Sequence, residues 1–133
     1  MTGQRLSAGE RIRRRPEFER VFNEGARVHS RFMTIFVLSN DGTAARLGVA
    51  ATRKVGSATE RNRAKRLVRE VFRRHKVAAG LDIVVVPRRD ILDAPFATLE
   101  ADYHAALERC RRNRSHAREP RRQHARPRAS TRV

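Results

Sequence analysis

The stretch opening at Ser57 restricts the fold of this chain more than any other, because its aliphatic and cationic residues fall on opposite sides of one helix. On a wheel of about 100° per residue with Ala64 at the origin, Leu67, Val68, Val71 and Phe72 lie within about 80°, the stripe of an amphipathic helix. Such a stripe must be covered by other apolar elements. Lys65, Arg69, Asn62, Arg73 and Arg66 occupy roughly 100–200° on the same wheel, a cationic arc with one neutral hydrogen-bonding group inside it. Ser57 and Glu60 have capping-box spacing, which starts the helix at Ala58, and Gly80 supplies a stop signal. Between Arg61 and Arg69 there is no acid, and Arg61, Lys65, Arg69 and Arg73 form an i, i+4 row of like charges. Such a row repels itself unless a polyanion lies across it.

The chain of 133 residues is long enough for one modest core, and its net charge of +17 comes from 31 Lys and Arg against 14 acids. That balance favours nucleic acid over an anionic membrane surface. The sequence shows no apolar run of about 18 residues and no signal-like N-terminal segment, so no membrane role is expected and the expected location is cytoplasmic. Three regions are expected: a basic N-terminal arm over 1–15, one RNA-binding domain over 16–111, and a disordered Arg-rich tail over 112–133. Arg111–Val133 contributes nine arginines against Glu119 alone, leaving about half of the net charge on the rest of the chain. Cys110 is the one cysteine, which excludes an internal disulfide and reads as a small apolar residue rather than a nucleophile.

Along the domain, Pro16–Glu24 reads as a short helix with Phe18, Val21 and Phe22 on one face. Extended segments follow at 26–29, 31–39 and 45–52. The Asn40-Asp41-Gly42 turn makes the second and third of these antiparallel neighbours. Alternation sends Met33, Ile35 and Val37 to one face with Leu47, Val49 and Ala51, and sends Phe32, Thr34 and Phe36 to the other with Arg46, Gly48 and Ala50. The second face has the composition of an open stacking surface for unpaired bases. Leu81–Pro87 reads as a buried strand, parallel to the strand before the basic helix, and a last helix runs from Pro95 to Arg111.

No carboxylate cluster, His pair, Walker loop or nucleophile elbow is recognisable in the sequence, so no catalytic residue is assigned. Phe18, Phe22, Phe32 and Phe36 could wall a shallow cleft with Arg46, or be ordinary core.

Arg53-Lys54-Val55-Gly56, Ala58, Arg61-Asn62-Arg63, Lys65-Arg66-Leu67 and Arg69-Glu70 closely resemble the RNR signature of the bacterial ribonuclease P protein component. Phe18, Val21, Phe22 and Gly25 upstream, and Asp82–Val86 downstream, extend the resemblance to roughly residues 5–110. It implies an α/β (α+β) sandwich of the ribosomal protein S5 domain 2 type, in the order α-β-β-β-α-β-α with a left-handed βαβ crossover. It also implies a subunit that binds the ribonuclease P catalytic RNA and the 5′ leader of precursor tRNA, while the RNA removes the leader using Mg²⁺. No tightly bound cofactor and no protein partner are expected for the protein itself, and any metal site in it stays unknown.

Carried over residue by residue, Arg61, Asn62, Arg63, Lys65, Arg66 and Arg69 become RNA contacts with Arg53 and Lys54 as their cationic entry, and Arg73 is added to them from the cationic arc of the helix. Phe18 and Phe22 carry over as aromatics of the leader cleft, which Phe32, Phe36 and Arg46 of the second sheet face complete by their alternation. Phe36 stands where relatives commonly carry tyrosine, so a phenolic hydrogen bond is lost and stacking remains. A ribosomal protein or RNA chaperone, a stand-alone nuclease and a DNA-binding module stay open as alternatives.

Overall fold

A computed structural model describes residues 8–42, 44–75 and 80–116. Its elements are α1 (Arg15–Glu24), β1 (Ala26–His29), β2 (Met33–Ser39), β3 (Arg46–Val49), α2 (Ala58–Arg74), β4 (Leu81–Pro87) and α3 (Phe96–His116), with short 3-10 turns at Ala8–Glu10 and Arg89–Asp93. The expected α-β-β-β-α-β-α order holds.

One four-stranded sheet, in the order β1-β2-β4-β3, carries helices on both faces. β1 and β4 run antiparallel to β2, and β3 runs parallel to β4. The parallel pair joined through α2 agrees with the sequence. The β2–β3 hairpin does not form, because β4 lies between the two strands. The turn itself is present, with positive φ at Asp41 and Gly42. Asn40 N–H donates to Gly80 O at 2.8 Å, so the end of β2 is held to the start of β4 rather than to β3. The physical reason lies in β4 itself: Leu81, Ile83, Val84 and Val85 are buried. A strand apolar on both faces belongs at the centre of a sheet.

The main core fills the space between one sheet face and the pair α2 and α3. Met33, Ile35, Val37, Leu47, Ile83 and Val85 meet Ala64, Val68, Val71 and Phe72 of α2 and Leu99, Tyr103, Ala106 and Leu107 of α3. The α2 stripe is therefore buried as its spacing required. Cys110 is buried in the same core, its Sγ 3.4 Å from Ile35 O and 3.7 Å from Ala26 O. α1 and the segment before it cover the opposite face, where Ile12, Val21 and Val84 form a smaller core edged by Phe18, Phe22, Phe36 and Leu38.

Two boundaries differ from the sequence reading. The N-terminal segment is structured from Ala8: Arg11 bridges Leu47 along the free edge of β3, and Ile12 is buried against α1. α3 continues past Arg111 to His116, since Arg, Asn and Ser do not break a helix already anchored by its apolar side. The remaining residues of the expected arm and tail, 1–7 and 117–133, lie outside the described residues.

Candidate nucleic-acid interface

The loop from Thr52 to Ser57 and the helix behind it present the cations. Thr52 O accepts from Val55 N–H at 3.0 Å, a tight turn that leaves Arg53 and Lys54 exposed. At the helix start Ser57 Oγ accepts from Glu60 N–H at 3.1 Å, and Ser57 N–H donates to Glu60 Oε1 at 2.9 Å, completing the predicted capping box. Gly56 has φ of +142°, and a Cβ there would sit 2.0 Å from Glu60 Oε1, so only glycine lets this carboxylate fold back over the cap. Arg89 locks the arrangement from the β4–α3 connection, donating to Val55 O at 2.6 Å and lying 3.5 Å from Glu60 Oε2. The Ser57 N–H bond, followed by Arg89, holds the Glu60 carboxyl below its ordinary pKa.

The nine predicted RNA contacts separate into two groups. The side chains of Arg53, Lys54, Asn62, Lys65, Arg66 and Arg69 form no hydrogen bond or ion pair with any described residue. The other three are engaged within the protein: Arg61 donates to Gly56 O at 2.9 Å, Arg63 to Leu92 O at 2.9 Å, and Arg73 pairs with Glu70, which also takes Arg74 at 2.9 Å. The carbonyl bonds fix position and leave the positive charge intact, whereas Glu70 neutralises part of the helix end. Arg63 points away from the arc toward the Arg89–Asp93 turn.

Sequence spacing missed one member of the ridge. Arg11, brought in by its bridge to Leu47, lies close enough to Arg69 to act on its charge. Burial, then Arg11 and Arg66, pull the Arg69 pKa below its ordinary value. The Arg11 Nε is buried without a hydrogen-bond partner among the described residues. Three guanidiniums within one field favour an anion beside them. Nothing in the periodicity of residues 1–15 announces this, because it depends on the β3 edge.

Of the four phenylalanines expected to wall a cleft, three come together. Phe18, Phe22 and Phe36 come together half-buried, with ring centroids 6.3 Å apart for Phe18–Phe22 and 4.8 Å for the edge-on Phe22–Phe36 pair. Phe32 does not join them. It precedes the first residue of β2, so strand alternation does not reach it, and it is 4% exposed in the main core. Its backbone N–H donates to Asp102 Oδ2 at 3.1 Å, and the Arg31 guanidinium sits 5.0 Å from its ring centroid.

Arg46 is also reassigned. Its Nε and Nη2 donate to Asp82 at 2.9 and 2.8 Å, and Nη1 donates to Glu17 at 3.2 Å. Asp82 is the one charged residue buried among the described residues, and it accepts from Asn40 Nδ2 at 2.8 Å as well. Burial alone would raise the Asp82 pKa, but the bonds from Arg46 and Asn40 outweigh it and hold the carboxyl below its ordinary value. The Asp82 bonds, working against burial, raise Arg46 above its own. With three of its five N–H donors engaged, Arg46 ties α1 to β3 and β4.

Among the described residues no three His, Cys, Asp or Glu side chains gather as metal ligands, and no helix is long and apolar enough to cross a membrane. The family described as Ribonuclease P matches residues 6–111. The chain belongs to the ribonuclease P protein family. The ribonuclease P protein component of Citrifermentans bemidjiense is 37% identical over 116 residues, covering 84% of this chain and 97% of its own. That of Oleidesulfovibrio alaskensis is 41% identical over 99 residues, covering 71% and 78%. Among solved structures, the Thermotoga maritima RNase P protein superimposes with a TM-score of 0.67 at 37% identity, covering 75% of this chain and 96% of that one. The Staphylococcus aureus RNase P protein gives 0.66 at 29% identity, covering 74% and 93%.

Proposed function

We propose that this ribonuclease P family protein grips the catalytic RNA through the ridge of Arg11, Asn62, Lys65, Arg66 and Arg69 with Arg53 and Lys54, and holds the 5′ leader of precursor tRNA in the Phe18–Phe22–Phe36 cleft. The observation that carries this reading is the Arg11–Arg66–Arg69 grouping, in which Arg11, bridged to Leu47, and Arg66 both act on the half-buried Arg69. Phosphates are the ligands that relieve such a field. The chemistry falls to the RNA partner and the Mg²⁺ it uses, and the protein acts where that RNA is, in the cytoplasm. Arg61 and Arg63 serve the interface by fixing the first turns of α2, and their bonds to Gly56 O and Leu92 O support that role. Leader nucleotides stack on half-buried phenylalanines, each base contributing about 1–3 kcal/mol without sequence preference.

Reconstitution tests the proposal. Protein combined with the catalytic RNA should cleave precursor tRNA at low Mg²⁺ far faster than the RNA alone, and RNA-free protein should not cleave. Equal help for unrelated RNAs would instead mark a general chaperone. Cleavage by protein alone would mark a nuclease.

A further inference from the structure

α1 covers only part of its sheet face. It packs on Phe36, Val84 and Leu38 and reaches Gly48, whereas Thr34, Val86 and Ala50, further toward the C-terminal ends of β3 and β4, stay partly exposed on the same face. This strip crosses from β3 to β1, three interstrand spacings of about 4.8 Å, or roughly 14 Å in all.

Two arginines and a histidine stand at its far side. Arg27 pairs across the sheet with Phe36 and His29 with Thr34, so both side chains share the face that carries the cleft, and both are exposed. Arg88 comes two residues after Val86, and its N–H donates to Phe32 O at 2.8 Å while Nε donates to Ser30 O at 3.1 Å. Those bonds turn it toward the β1–β2 loop. Burial first, then the charges of Arg27 and Arg88, lower the His29 pKa, so the three residues lie within one field. His29 Nδ1 is 2.9 Å from Thr34 Oγ1, which fixes the ring at the strip margin. Neither Arg27 nor Arg88 forms an ion pair among the described residues, and the nearby Asp102 is engaged by Ser30 Oγ and Phe32 N–H.

We propose that Arg27, His29 and Arg88 form an outlet that binds backbone phosphates of the precursor leader beyond the nucleotides held in the aromatic cleft. This rests on the function proposed above. If the ridge at the β3 side holds the catalytic RNA, the end of the leader nearest the cleavage point enters from that side, and its distal nucleotides leave over β1. Because phosphate contacts carry no base information, the outlet reads leader length and not leader sequence.

The test uses the reconstituted holoenzyme and precursor tRNAs whose leaders increase in length one nucleotide at a time. Wild-type affinity should rise with length in two stages, the first from the cleft and the second from the outlet. The double variant Arg27→Ala/Arg88→Ala should match wild type on short leaders and lose the second stage, with a salt slope lower by about 1.4 for two phosphates at 0.7 each. Arg27→Ala alone should lose part of that stage, and it leaves the Ser30 contact of Arg88 intact. Equal affinity of wild type and double variant on every leader would overturn the outlet while the cleft stands, provided Phe18→Ala still loses leader discrimination. Wild-type indifference to any leader would overturn both.

Discussion

The Phe18 ring lies directly on the backbone of Gly48: a Cβ built at residue 48 would come within 2.8 Å of ring atoms Cε1 and Cζ and 3.0 Å of Ile12 Cβ. The absent side chain on β3 thus sets how deep Phe18, the first aromatic of the proposed cleft, can sit. Gly48→Ala should lift the ring, at an overpacking cost of about 1–3 kcal/mol. Thermal melting should register the loss, and the variant should discriminate less between leader-bearing and mature tRNA. An unchanged melting temperature would show that the ring moves freely.

Phe18 and Phe32 should behave differently despite their common chemistry. Phe32→Ala removes a buried core ring and should destabilise the fold by about 3–5 kcal/mol, visible in urea unfolding. Phe18→Ala should leave the fold largely intact and weaken leader-bearing substrate relative to mature tRNA by the stacking contribution of about 1–3 kcal/mol. Equal loss for both ligands would reject the cleft.

Arg66 and Arg63, three residues apart, should separate binding from stability. Arg66→Ala should weaken catalytic-RNA binding and reduce the slope of log K against log salt by about 0.7–0.9. Arg63→Ala leaves the Leu92 carbonyl without its partner and should show chiefly as a stability loss of about 0.5–1.5 kcal/mol in melting experiments. A salt slope changed more by Arg63→Ala than by Arg66→Ala would contradict the assignment.

Asp82 makes folding sensitive to acid. Its carboxyl titrates below the ordinary value in the folded protein, so the folded state binds fewer protons than the unfolded chain as pH falls. The stabilisation is fully present above the unfolded pKa of about 4 and disappears as pH drops through the folded pKa. Melting temperature should therefore hold level through pH 5–7 as far as this group is concerned and fall below about pH 4. Asp82→Asn should flatten that fall. Arg46→Ala, which strands the buried carboxylate, should destabilise at neutral pH by on the order of 3 kcal/mol.

The elements legible in the sequence were those governed by local chemistry. Ser57 and Glu60 announce their cap, Ala64 to Phe72 announce a buried stripe, and the alternation in Met33–Val37 announces a core face. What escaped was the pairing of distant segments. Asp41-Gly42 specifies a turn without specifying which strand will lie beside β2, and the burial of both faces of β4 decides that question. Arg46 reads as a free cation until the β3–β4 register sets it opposite Asp82. Phe32 was counted one residue beyond the end of a pleat. Arg11 joined the ridge through a backbone bridge that no side-chain pattern encodes.

That bridge has a further consequence. Arg11 and Ile12 run beside the outer border of β3, with Ile12 N–H donating to Leu47 O at 2.9 Å. They occupy hydrogen-bonding groups that would otherwise solicit a stranger's strand. A shortened version beginning after Ile12 would lose the Arg11 guanidinium and would also bare this seam, inviting copies of the molecule to stick together.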